Sequence, residues 1–339
     1  MNSANAVAAV LWLSLTAYAV LAGADFGGGA WDILARGPRA ARQRRAIAEA
    51  MGPVWEANHV WLIFMIVGLF TAFPTAFAVL ALALNLPLTV AMTGIVLRGA
   101  AFAFRAHGRE AVGSNEAWGA VFGGASIITP AFLGASAAAV ASGAIRAPHG
   151  QLTSGFGAGW TTPFALDVAL FSVSVCAYLA ATYLMVETEA DPELQADFRR
   201  RAVAAAIASG IFAIAGLVLG WFEARPLLNG LLGRGLPFLV LALINGPLAL
   251  LAVLRGRPRL ARVAVAAQIV FVLWAWALAQ SPYLVPPDLS ISGTASPSST
   301  LSLFLVVVAV GMAILLPSLF LLFRVFKGGS TTPSRPAKT

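Results

Sequence analysis

Asp25, Glu56, His59 and Arg98 stand deep inside stretches of otherwise apolar sequence. Where the dielectric constant is low, a carboxylate or an imidazole is costly to charge, so it is either paired or able to exchange protons. His59 follows Glu56 by three residues, which places both on one face of a helix. Two chemistries fit this set. In one, Asp25, Glu56 and His59 are stations of a proton route; in the other, Arg98 is a structural ion-pair partner, with Glu56 for example. Asp167 stands a few residues inside the end of its apolar stretch and is expected to face water.

The elements that must position these groups follow from composition. The chain has 339 residues, of which 59% are hydrophobic and only 11% charged, and its mean hydropathy is +0.84. So much apolar surface has no place in water, which excludes a soluble enzyme, a disordered chain and a secreted disulfide scaffold. A spanning helix needs about 20 apolar residues, and nine stretches qualify, near 6–34, 48–72, 76–104, 118–142, 161–186, 202–222, 236–254, 260–281 and 301–326. The first lacks a preceding positive charge and is expected to be a retained helix, not a signal. Residues 1–327 read as a single transmembrane domain, and 328–339 as a flexible cytoplasmic tail. The Pro- and Ser-rich stretch 281–300 reads as an outer loop.

Of the 22 Lys and Arg residues, eighteen fall in alternate loops and the tail, three (Arg146, Arg225 and Arg234) on the opposite side, and Arg98 within a span. The positive-inside rule puts the N-terminus outside and the C-terminus in the cytoplasm. The net charge of +8 is therefore a topology signal, and nucleic acid is not an expected partner. Asp25 precedes Arg36 by eleven residues and Glu56 follows Arg45 by eleven, so each acid is expected about 16 Å from the cytoplasmic edge. The two should lie at similar depth, with Arg98 about 10 Å in from the same side.

Gly27-Gly28-Gly29 has no preceding strand, so close helix packing is expected there in place of a phosphate-binding turn. Pro53, Pro87 and Pro247 are expected to kink their spans. A single cysteine, Cys176, excludes an intrachain disulfide and a cysteine-ligated cluster. Three histidines are too few to hold several bis-ligated haems, so no haem or metal is expected in this chain.

At these residues the sequence resembles subunit II of the bacterial cytochrome bd-type quinol oxidases. Gly23-Ala24-Asp25-Phe26-Gly27-Gly28-Gly29 looks like one family stretch. Trp55-Glu56-Ala57-Asn58-His59-Val60-Trp61-Leu62-Ile63 is similar to a more specific one. Arg98 through Arg105, Ala181-Thr182-Tyr183-Leu184, and the segment from Pro282-Tyr283 to Thr300-Leu301 extend the resemblance over most of the chain. Three departures stand out: family members often carry a further acid where Ala22 stands, Asp where Glu56 stands and Gln where His59 stands.

The expected fold is an all-α polytopic membrane protein of about nine transmembrane helices, in two four-helix bundles plus a peripheral helix. The resemblance implies a haem-free chain in the bacterial inner membrane, partnered by a larger subunit I that holds two b haems and a haem d. That complex oxidises quinol and reduces dioxygen to water, and some members add small single-helix subunits. The resemblance also implies a proton path through Asp25 and Glu56, and makes Trp55 and Trp61 subunit-interface candidates. Membrane lipids complete the expected partners. The alternative from another class is a self-sufficient proton-coupled secondary transporter.

Overall fold

The structure, a computed structural model, describes residues 2–51, 55–107 and 114–327; the side chains of 51, 55–57, 106–107, 114–116 and 322–327 lie outside that description, as does the expected tail at 328–339. Twelve α-helices and one short hairpin are described. In chain order the helices are α1 (Ser3–Ile33), α2 (Ala40–Met51), α3 (Trp55–Ala72), α4 (Pro74–Ala83), α5 (Asn85–His107) and α6 (Ser114–Ser142). Then come α7 (Pro163–Glu187), α8 (Pro192–Glu223), α9 (Arg225–Leu232), α10 (Leu236–Leu254), α11 (Pro258–Gln280) and α12 (Ser298–Lys327). Strands β1 (Tyr283–Val285) and β2 (Leu289–Ser290) pair antiparallel within the loop before α12.

Among the described residues eight of these helices are long and apolar enough to cross a membrane, against the nine expected; the apolar runs Asn58–Ala72 of α3 and Pro74–Ala83 of α4 are shorter. The stretch expected at 48–72 takes in the end of α2, which carries Arg42, Arg44 and Arg45 and is not itself apolar enough to span, and all of α3, with residues 52–54 outside the described residues. One span differs from expectation. The stretch expected at 76–104 is divided between α4 and α5. The cause is local: the ring of Pro87 would collide with the carbonyl of Ala83, four residues back, so the helix stops there. It restarts with Pro87 in the first turn of α5, where an amide donor is not needed. Pro87 therefore starts a helix and does not kink one. Pro74 acts likewise on Phe73, whose backbone leaves the helical region at φ −139°, ψ 60°. Pro247 lies inside α10 as expected, and Pro53 lies outside the described residues.

Helix contacts fall into two groups. In the first, α1 packs on α3 and α6, and α6 on α5; in the second, α7 packs on α8 and α11, and α10 on α11. The groups meet where α1 and α6 lie against α7, while α12 flanks α1 and α3. Polarity is distributed inside out. Ile211, Ile214, Leu243, Val307 and Ile314 are exposed, whereas Ser14, Asp25, Asn58, Arg98, Ser126 and Thr129 are buried. In lipid this is the stable arrangement, because apolar side chains lose nothing by facing acyl chains and buried polar groups bond across helices.

At about 1.5 Å per residue, the 32 residues of α8 extend well beyond a hydrocarbon core of about 30 Å. Its first turns and the short segment that leads into it carry the acids that bind basic residues of neighbouring segments. Arg39 forms a two-bond pair with Asp197, Arg42 reaches Asp191 and Glu193, and Arg259 pairs with Glu189. The Arg42 guanidinium holds the Asp191 carboxyl below the usual carboxylate range. At the opposite end Arg146 pairs with Asp288 at 2.9 Å and lowers that carboxyl in the same way, while Asp288 also accepts the Ala147 amide. The loop at 281–297 is thus fastened to the one after α6.

Candidate functional site

Asp25 lies five turns or more into α1 and is 6% exposed. Three neighbouring helices define its surroundings. From α3, Asn58 donates its Nδ2 to the Asp25 Oδ2 at 2.5 Å. From α5, Arg98 donates Nη2 to the main-chain carbonyl of Asp25 and Nε to Ser126 Oγ on α6, each at 3.1 Å. Ser126 in turn donates to the carbonyl of Phe122 at 2.7 Å.

Arg98 is only 2% exposed. Its guanidinium carbon lies 5.3 Å from the ring centre of Phe26 and 5.2 Å from that of Phe122. A planar cation between two aromatic faces, with donors left at its edge, suits arginine and not lysine. The ion pair expected between Arg98 and Glu56 falls on a side chain outside the described residues, as does any role of Trp55. The contacts of Arg98 that are described tie α5 to α1 and α6.

His59 is half-buried, with its ring centre 5.8 Å from Tyr18 and 6.1 Å from Phe26. Tyr18 lies two turns from Asp25 on α1, and the apolar cluster of Tyr18, Phe26 and Leu62 adjoins the polar site along the helix. Trp61 is half-buried against that cluster, and its carbonyl accepts the Ser14 hydroxyl at 2.6 Å. Asn58 brings the first turn of α3 beside Asp25, so the backbone at Glu56 starts its helix next to this site.

Close packing holds the helices around the site. A Cβ built at Gly27 would run into the carbonyl of Cys176 and the methyl of Ala180, and one at Gly29 into Ser126. The three-glycine stretch therefore lets α1 touch α6 and α7 backbone to backbone.

A second polar set lies nearer the basic loops. Asp32, 3% exposed, pairs with Arg105 at 3.0 Å. Arg44 donates to the carbonyls of Asp32 and Ala35, neutralising the end of α1. Trp31 donates to Ala177 O, and Arg201 bridges the carbonyl of Trp31 and Gln43. Sequence reading missed Asp32 and Asn58. Asp32 had a signal, since it follows Asp25 by two turns on the same helix face. Asn58 is neutral and gave none.

Asp167 corrects an expectation. It is 7% exposed and its Oδ2 lies under the Cα of Gly216 on α8, not towards water. The small residue on the facing helix allows that approach. Among the described residues, no group of three or more His, Cys, Asp or Glu is arranged to hold a metal ion.

Comparison with known proteins places this geometry. The family model described as cytochrome bd terminal oxidase subunit II matches residues 4–326. The chain belongs to that family. As a cytochrome bd subunit II it is part of a terminal oxidase and a multi-pass protein of the bacterial inner membrane. The putative cytochrome bd menaquinol oxidase subunit II of Bacillus subtilis (strain 168) is 24% identical over 329 residues, covering 94% of this chain and 93% of that one. The cytochrome bd ubiquinol oxidase subunit 2 of the same organism is 35% identical over 63 residues, 19% of each chain. A chain in the structure of bd oxidase from Geobacillus thermodenitrificans shares the fold, with a TM-score of 0.82 at 23% identity, over 97% of this chain and 100% of that one. The Asp25 site thus lies on the first helix of a cytochrome bd subunit II, among segments that this fold holds together.

Proposed function

We propose that this chain is the haem-free partner of a larger haem-bearing subunit I in a quinol-oxidising complex, and that it supplies protons for dioxygen reduction from the cytoplasmic side through Asp25. Glu56 and His59 are the further stations. The haems, two b and one d, belong to subunit I and supply electron transfer and oxygen binding there. What this chain's residues do is take up, hold and pass protons.

The observation that carries the reading is a buried acid, Asp25, 6% exposed, whose carboxylate accepts Asn58 of α3 and whose main-chain carbonyl accepts Arg98 of α5. Reduction of dioxygen to water consumes protons, and the reaction charges the membrane only if those protons come from the inside. An acid buried on the basic-loop side meets that need, because positive-inside orientation makes that side cytoplasmic. Asn58 orients the carboxylate, and Arg98 offsets its charge without closing over it. Trp61 and the exposed apolar faces of α3 and α12 remain for subunit I, any single-helix subunits and lipid.

The chain, purified from its native membranes in mild detergent, is expected to bring a larger partner with haem absorbance. In that complex Asp25→Asn is expected to lower turnover per haem about tenfold or more, with haem content unchanged. Full turnover per haem with a diminished haem content would instead make the site a scaffold and overturn proton supply. A lone colourless chain would overturn the partnership.

A further inference from the structure

Between α1, α2 and α7, at the basic-loop end, lies a cavity of about 40 Å³ whose wall includes Asp25. Gly28 and Ala24 form its floor on α1, Ala50 its side on α2, and Tyr183 and Glu187 its side on α7. Tyr183 and Glu187 are four residues apart, so they line one face of α7 in succession from the interior to the helix end. Glu187 is the last residue of α7, and its carboxylate is 35% exposed. Arg262 on α11 lies across this end, 3.9 Å from the Glu187 carboxylate and 5.1 Å from the ring centre of Tyr183.

We propose that this cavity is the water-filled mouth through which protons reach Asp25, with Glu187 as the group that collects them. The inference rests on the reading of Asp25 as a proton station. A cavity of this size admits a water when polar partners surround it, and Asp25, Tyr183 and Glu187 are among the residues of its wall. Small residues at Gly28, Ala50 and Ala24 keep the passage open where larger side chains would fill it.

The surrounding charge gives the acid its purpose. The loops at this end carry most of the basic residues of the chain, and such a field repels hydronium from the surface. Glu187, with Arg262 no nearer than 3.9 Å, is the acid at the one opening onto Asp25 among the cavities described. A proton from the cytoplasm binds the Glu187 carboxylate, passes to the cavity water, and leaves that water for the Asp25 carboxylate. Glu187 is then anionic again, and the water is restored.

The test uses the assembled oxidase with quinol and oxygen, measuring turnover per haem in H₂O and D₂O. Glu187→Gln and Ala50→Leu are each expected to slow turnover about tenfold, with an enlarged solvent isotope effect and an unchanged haem spectrum. Glu187→Asp recovers most of what the Gln variant loses. If Asp25→Asn slows the enzyme but Glu187→Gln and Ala50→Leu leave rate and isotope effect unaltered, the mouth lies elsewhere and this inference fails while the Asp25 reading stands. If Asp25→Asn itself turns over at full rate, the reading fails and the mouth with it. Should Ala50→Leu not assemble, the Gln and Asp pair at position 187 decides the matter.

Discussion

Asp25, His59 and Arg98 could be picked out of the sequence because an ionisable residue in an apolar run is rare and costly. Their bonding could not. Asn58 and Ser126 are unremarkable in a linear reading, and become partners of Asp25 and Arg98 only once α3 and α6 are folded against α1 and α5. Asp167 was misplaced for the same reason: its distance from the span end suggested water, but the close approach of Gly216 buries it. Arg98 yields a prediction at this scale. Lysine cannot stack between Phe26 and Phe122 while donating to both the Asp25 carbonyl and Ser126. Arg98→Lys is therefore expected to destabilise the folded chain by on the order of 2 kcal/mol, read as a lower melting temperature of the purified complex in detergent. An unchanged melting temperature would mean that the stacking contributes nothing.

At the scale of elements, hydropathy located the spans, and proline chemistry decided where they break. The expected stretch at 76–104 is apolar throughout, so length and hydropathy gave no reason to divide it; Pro87 did, by ending α4 at Ala83. Glycine packing was legible, since three consecutive glycines in a membrane helix imply contact with another backbone. It can be tested by contrast. Gly27→Ala must displace the backbone of α7 at Cys176, whereas a methyl at Gly124 meets nothing. Gly27→Ala is expected to lower the yield of assembled complex several-fold, and Gly124→Ala to match the parent chain, both measured by haem recovered per membrane protein. Equal yields would show that α1 and α7 do not meet as closely as the structure has them.

For the molecule as a whole, the two arguments from composition converge. Apolar residues face outwards and polar residues inwards, as a lipid solvent requires, and the basic residues gather at one end where the start of α8 and the segment before it supply acids to bind them. That end is also where Asp25 is approached, through the cavity beside Glu187. On the proposed reading, the direction of proton flow follows from this sidedness of the fold and not from any one residue. The measurement that tests it most directly is proton uptake during a single turnover. The assembled oxidase, fully reduced and set in vesicles of known orientation, is mixed with oxygen while a pH dye reports from the side of the basic loops. With the parent chain, uptake should appear on that side as oxygen is reduced. With Asp25→Asn, it should be delayed by about tenfold or more, although oxygen still binds at the parent rate. Uptake on that side at the parent rate in Asp25→Asn would contradict the account.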